Sequence, residues 1–254
     1  MRLIPTREDN AAMSMAIDEA ILKARSENKV EDTFRLFKFK PSSVSLGYFQ
    51  SYDQEIFHDN RLKKEVDAVR RITGGGAVFH DYDGEITYSI ILSEESAGKN
   101  IQESYRLICS GLTNALAEFG ISAEFLPIND VLAGGKKISG SAQTRKWGAV
   151  LQHGTMMYNT DLDLLFSVLN VSKAKIADKI LASIKDRVTN VNQQLELLGK
   201  PGNVGGDEVE AAMIKGFEKV FGKFEKSDLT DGEMNMAKEL AETKYGTDDW
   251  LHKK

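Results

Sequence analysis

The run Arg70-Arg-Ile-Thr-Gly-Gly-Gly-Ala-Val-Phe-His-Asp81 decides how this chain is read. Asp67-Ala-Val leads into it as an extended strand. Three successive glycines then let the backbone take up positive φ and come close to a ligand. Their amides can form a concave nest for an anion. Arg71 stands beside that nest, and a guanidinium there can hold a carboxylate or phosphate by paired hydrogen bonds. The run is neither of the common nucleotide loops, since the chain has no GxxxxGK[ST] and the glycines lack G-x-G-x-x-G spacing. Taken alone, the run fits a glycine-rich hairpin turn with an incidental arginine pair equally well.

Outward from the glycines, a period of two dominates the first half of the chain. Thr33-Phe-Arg-Leu-Phe-Lys-Phe-Lys40 alternates apolar and charged residues, which predicts a half-buried strand ended by Pro41. Residues 43–49 read as another short strand, 56–65 as a polar helix, and 67–73 as the strand entering the glycines. Residues 77–80 resume extended structure, 81–84 turn, and 85–92 are rich in β-formers. Helical spacing follows Asn10, an N-cap, with Met13, Ile17, Ala20, Ile21 and Ala24 on one face. A second helix spans 101–120, with Tyr105, Ile108, Leu112, Ala115 and Phe119 inward and Gly120 as its stop. Residues 130–133, 136–139 and 150–158 read as short strands linked by glycines. From residue 162 the pattern is mainly helical, including 231–245, and 198–206 reads as a flexible connection. Strands first and helices later give one α/β or α+β domain, a mixed central sheet flanked by helices.

Composition narrows the function classes. The chain has 254 residues, 41% hydrophobic and 28% charged, enough to bury a core without disulfide or metal staples. A net charge of −5 argues against nucleic acid as a partner. The single cysteine, Cys109, excludes an intramolecular disulfide and any metal site built on several cysteines. The first residues lack a signal-peptide pattern, and no apolar run approaches the ~20 residues that span a bilayer. The expectation is a cytoplasmic protein with no membrane partner.

Two further segments carry candidate chemistry. In Gly134-Gly-Lys-Lys-Ile-Ser-Gly-Ser-Ala-Gln-Thr-Arg145, Lys137 precedes a short strand and a Gly-Ser-Ala turn, and its ammonium can point at a negative ligand. By itself the segment fits a solvated lysine pair at a hairpin better. In Leu151-Gln-His-Gly-Thr-Met-Met157, His153 is a pocket candidate, although a lone histidine is more often structural.

Together these segments resemble the lipoate–protein ligase family, part of the superfamily that also holds biotin ligases and octanoyltransferases. The family's R-R-x-x-G-G-G-x-V-x-H-D run stands unbroken from Arg70 to Asp81. Its N-D, K-[IV]-x-G-S-A and H-G-[ST] stand as Asn129-Asp130, Lys137 to Ala142, and His153 to Thr155. Weaker matches are Leu46-Gly-Tyr-Phe-Gln50 and Lys244-Tyr-Gly-Thr-Asp-Asp-Trp250, so the resemblance spans nearly the whole chain in the right order.

The resemblance implies a biotin/lipoate-ligase-like catalytic domain over residues 1–254, without the C-terminal accessory domain that full-length bacterial ligases carry. It implies activation of lipoate by ATP, with Mg2+, to lipoyl-AMP. The lipoyl group then passes to a lysine of lipoyl domains of 2-oxoacid dehydrogenase complexes or of glycine cleavage H protein, with help from a separate small accessory protein. Arg71, Gly74, Gly75, Gly76, Ala77, Val78 and Phe79 would hold ATP and the acyl-phosphate. Lys137 would be the catalytic contact to the reacting carboxylate and α-phosphate. His80, Asn129, Asp130 and His153 are secondary pocket candidates. One alternative is an octanoyltransferase, which resembles the ligases but takes octanoyl from acyl carrier protein onto a cysteine shortly before the Lys-x-x-Gly segment. Residues 125–135 contain no cysteine, and Cys109 reads as a small buried thiol on a helix. A non-catalytic lipoate or nucleotide binder is the remaining alternative.

Overall fold

The computed structural model describes residues 1–98, 100–170 and 186–253. Its strands are β1 Arg2–Asp9, β2 Thr33–Phe39, β3 Ser43–Leu46, β4 Asp67–Arg70, β5 Val78–His80, β6 Glu85–Ser93, β7 Ala123–Leu126, β8 Asp130–Ala133, β9 Lys136–Lys146, β10 Ala149–Met157 and β11 Glu225–Lys226. Eight form one sheet in the order β11-β1-β2-β6-β10-β9-β8-β7, and the other three form a small sheet β4-β3-β5. The large sheet is mixed, as expected: β1 runs parallel to β2 and β11, and in the succession β2, β6, β10, β9 each strand is antiparallel to the next.

Helices cover both faces. Helix α1 (Ala11–Ser26) begins at Asn10, whose Oδ1 accepts from Met13 N at 2.8 Å, a cap worth about 1 kcal/mol. Short helices α2 (Tyr52–Glu55), α3 (His58–Lys63) and α4 (Glu94–Ala97) precede the long α5 (Ile101–Glu118). Helices α6 (Leu162–Val168), α7 (Val191–Leu197), α8 (Gly206–Phe221), α9 (Asp231–Leu240) and α10 (Asp248–Leu251) follow among the described residues. Helices α5 and α8 cover one face, over Phe34, Leu36, Tyr88 and Ile90. They approach closely because Gly216 has no side chain: a Cβ there would lie 2.4 Å from Gly111 O. Helices α1 and α9 cover the other face, over Phe37, Phe39, Ile91 and Leu151.

Coverage on both faces corrects the reading of β2 as half-buried. Its burial is nearly complete, and Arg35, which alternation assigns to solvent, is wholly buried beneath α1. A strand sandwiched between helices has no solvent face. Three further differences matter. Strands β1 and β7 were not anticipated. The Gly-Ser-Ala turn does not exist: β9 runs straight through Gly140, Ser141 and Ala142 to Lys146, and the turn lies at Gly134 and Gly135, with φ of 57° and 75°. Residues 198–206 are tied down, with Asn192 Nδ2 donating to Val204 O and Val204 N to Asn192 Oδ1.

The small sheet presents the glycine run. Arg70 is wholly buried and anchors the strand before it. Its guanidinium donates to Gly47 O, Tyr48 O and Gln50 O, and to Trp250 O and Leu251 O of α10. Trp250 Nε1 donates back to Arg70 O at 2.8 Å. Among the described residues no helix is long and apolar enough to cross a membrane.

Candidate active site

One cavity opens where the small sheet meets the edge of β9 and β10. Gly75, Gly76 and Ala77 form its rim, with Val78 and His80 from β5, Ser45 from β3 and Arg71 behind. Lys137, Gly140, Ser141 and Ala142 of β9, with Asn129, form the opposite wall, and His153, Gly154 and Thr155 of β10 the floor. Met15 and Phe39 supply apolar surface. All three segments singled out in the sequence therefore meet at one place.

The glycine run is held tightly. Gly47 lies against it so closely that a Cβ there would sit 2.0 Å from Gly75 O. Gly75 itself has φ of 92°, a conformation that favours glycine. The N–H groups of Gly75, Gly76 and Ala77 engage no protein acceptor among the described residues, so the expected anion nest is available. Period two in β5 sorts the next residues. Val78 and His80 face the cavity, whereas Phe79, expected to touch the ligand, is buried in the core with Val44, Leu46 and Tyr52. Gly74 does not line the cavity either; its carbonyl is turned inward.

Arg71 departs most from the sequence reading. It stands beside the nest, but each of its N–H groups already has a protein acceptor. Nε donates to Thr73 Oγ1 (3.0 Å), Nη1 to Ser45 O (2.8 Å) and Ser45 Oγ (3.1 Å), and Nη2 to Gly74 O (2.8 Å) and Gly76 O (2.7 Å). Burial pulls its pKa down to about 10, so it stays charged at neutral pH.

Lys137 reaches the cavity through a β-bulge. Ser139 pairs with Val131 and Lys137 with Leu132, so Ile138 is an extra residue and the alternation breaks. Lys137 and Gly140 thereby share a side, and a Cβ on Gly140 would lie 2.7 Å from Lys137 Nζ. The Lys137 ammonium rests 2.7 Å from Asp130 Oδ1, with side-chain exposures of 39% and 28%. Asn129 Nδ2 donates to Ser141 O at 2.6 Å, fixing the N-D corner against β9.

The histidines are paired. His153 Nδ1 lies 2.9 Å from Asp18 Oδ2 and its Nε2 2.7 Å from Thr73 Oγ1. Burial lowers the His153 pKa, against the opposing pull of Asp18. Burial would raise Asp18, but Arg35, with Nη1 2.5 Å from Asp18 Oδ1, and His153 hold it low. His80 Nδ1 lies 3.0 Å from Glu85 Oε1 and Nε2 2.8 Å from Ser45 Oγ. A Ser-His-carboxylate arrangement thus exists that the sequence did not reveal. Ser45 is only 2% exposed and its Oγ is bound by Arg71, so it is no free nucleophile. Met15, Phe39, Ser45 and Thr87 were missed as lining residues; they lie in ordinary helix and strand patterns, without a local signal.

Cys109 is wholly buried on α5, behind the cavity wall. Its Sγ lies 3.8 Å from Ser141 Oγ and 3.7 Å from Gln152 Nε2, and burial pushes the thiol up to about 11. At neutral pH it is neither ionised nor reachable.

A helix-flanked mixed sheet with a glycine run, a lysine and an apolar wall in one cavity fits the catalytic domain of the lipoyl protein ligases. The family model for the lipoyl protein ligase A/B catalytic domain matches residues 10–218, and the chain belongs to that family. It is 34% identical to octanoyltransferase LipM of Brevibacillus brevis, over 98% of this chain and 97% of that protein. Its structure matches that of a bi-partite lipoate protein ligase from Thermoplasma acidophilum, studied with its E2 lipoyl domain, at a TM-score of 0.86 and 34% identity, covering 99% of this chain and 95% of that one. It also matches a lipoate-protein ligase A bound with ATP, at a TM-score of 0.82 and 32% identity, over 99% and 98% of the two chains. Of these relatives one is named an octanoyltransferase and two are named lipoate protein ligases.

Proposed function

We propose that the chain is an ATP-dependent lipoate–protein ligase. The observation that carries this reading is a cavity with a free amide nest and a lysine but no reachable thiol. An octanoyltransferase of the kind described above needs a cysteine nucleophile, and the only cysteine of the chain is buried behind the wall. The glycine nest of Gly75 to Ala77 would receive phosphate oxygens, and Met15 and Phe39 would bound the acyl tail.

In the first step the lipoate carboxylate attacks the α-phosphorus of ATP. An oxygen–phosphorus bond forms, pyrophosphate leaves, and negative charge builds on the phosphoryl oxygens. Lys137, released from Asp130, meets that charge as a cation at the cavity wall. Its pairing with Asp130 is half-exposed and worth under about 1 kcal/mol, so the exchange of partners is inexpensive. Mg2+ bound with the triphosphate would neutralise phosphate charge, and Asn129 on the cavity wall and Asp130 beside Lys137 would be the residues to hold it. In the second step the neutral amine of an acceptor lysine attacks the mixed anhydride and AMP leaves. A lipoyl domain as acceptor and a separate accessory protein are supported by the bi-partite relative.

The test is pyrophosphate release from ATP by the purified chain, with and without lipoate. Lipoate-dependent release is expected. No release, with octanoyl transfer from acyl carrier protein instead, favours the second reading, which rests on the 34% identity to an octanoyltransferase.

A further inference from the structure

Two chains of hydrogen bonds, each running carboxylate, imidazole, hydroxyl, end on the same guanidinium. One runs from Glu85 through His80 and Ser45 to Arg71 Nη1, with steps of 3.0, 2.8 and 3.1 Å. The other runs from Asp18 through His153 and Thr73 to Arg71 Nε, with steps of 2.9, 2.7 and 3.0 Å. The two chains share no residue except Arg71, yet the chemical order is the same.

That order favours one placement of the ring hydrogens. A carboxylate only accepts, so each imidazole carries its hydrogen on Nδ1. On a neutral ring Nε2 then accepts the Ser45 or Thr73 hydroxyl hydrogen. Each hydroxyl oxygen is left with lone pairs only, and these face Arg71. At His153, whose pKa burial lowers, an imidazolium would direct an N–H at the Thr73 oxygen that already accepts from Arg71.

At its other end Arg71 draws in Gly74 O and Gly76 O. A trans peptide sets its N–H opposite its C=O. Pulling those two carbonyls inward therefore turns the N–H groups of Gly75 and Ala77 away from Arg71, and both residues line the cavity.

We propose that Arg71 is a positioning residue, oriented by the His80 and His153 relays, whose task is to aim the Gly75 and Ala77 amides at the ligand's anionic group. This inference rests on the ligand entering the glycine nest. Thr73→Val removes one hydroxyl link at nearly constant volume, and Thr73→Ser retains it. Amide hydrogen exchange of residues 72–79 is measured without ligand, and KM for ATP and kcat are measured in the lipoate-dependent reaction. Thr73→Val is expected to speed exchange in 72–79 and to raise KM about tenfold, the scale of one lost hydrogen bond to a charged group, with kcat changed less than threefold. Thr73→Ser is expected to match the wild type in both readouts. Unchanged exchange and KM in Thr73→Val overturn the proposal, as does a Thr73→Ser variant as impaired as Thr73→Val. Should Thr73→Val fail to fold, Ser45→Ala tests the other relay by the same readouts. A wild type that does not turn over ATP defeats the ligase reading, whereas the exchange measurement still judges the relay.

Discussion

The cavity has two walls, and their charges are kept in opposite ways. On one side Asp18, with 1% of its side chain exposed, is fixed between Arg35 and His153 and receives a hydrogen bond from Ser89. On the other, Lys137 and Asp130 pair with each other at a partly exposed corner. The first wall has no alternative arrangement, because any departure leaves an unpaired charge in the core. The second can exchange partners at little cost. The fixed charges hold backbone, whereas the exchangeable one is free to follow a reaction.

Breaking the fixed wall is expected to have the largest effect. Asp18→Ala leaves Arg35 buried without its counter-charge and should destabilise the fold by about 3–5 kcal/mol, read from urea denaturation. The reactive wall should respond in the opposite sense. Lys137→Ala is expected to lower lipoate-dependent pyrophosphate release roughly 10²–10³-fold, the scale of losing one transition-state donor, with a melting temperature close to wild type. A Lys137→Ala variant with full release would remove this residue from the mechanism. The smallest effect sharpens the contrast. Asp130→Asn keeps the shape but removes the charge, and should change stability by less than about 1 kcal/mol. A loss as large as that of Asp18→Ala would show that the two walls are alike.

The sequence displayed the parts of this site that are local. The glycine run, Lys137 and His153 lie in short segments whose spacing points to an anion nest and a nearby cation, and the Asn10 cap and the α5 stripe needed only neighbours. It concealed whatever depends on pairing over long separations. Asp18 sits 135 residues from His153, and Ser45 lies 35 from His80. Nothing in an amphipathic helix or an alternating strand marks such residues for each other. Arg35 was hidden because alternation describes a strand with one wet face, and β2 has none. Strand β1 was hidden by Pro5 and its charged residues, with the pairing to β2 irregular between Ile4 and Arg7. The extension of β9 was hidden because glycine reads as punctuation, whereas Gly140 leaves room for Lys137.

Arg70 sets a condition on timing. Its guanidinium is satisfied in part by the carbonyls of Trp250 and Leu251, about 180 residues further along the chain. During synthesis the strand entering the glycine run emerges long before these acceptors do. A nascent chain must therefore keep a buried-to-be cation partly hydrated until its last described helix has left the ribosome. The strand that leads into the ligand nest therefore gains its full set of acceptors only once residues 250 and 251 have packed against it.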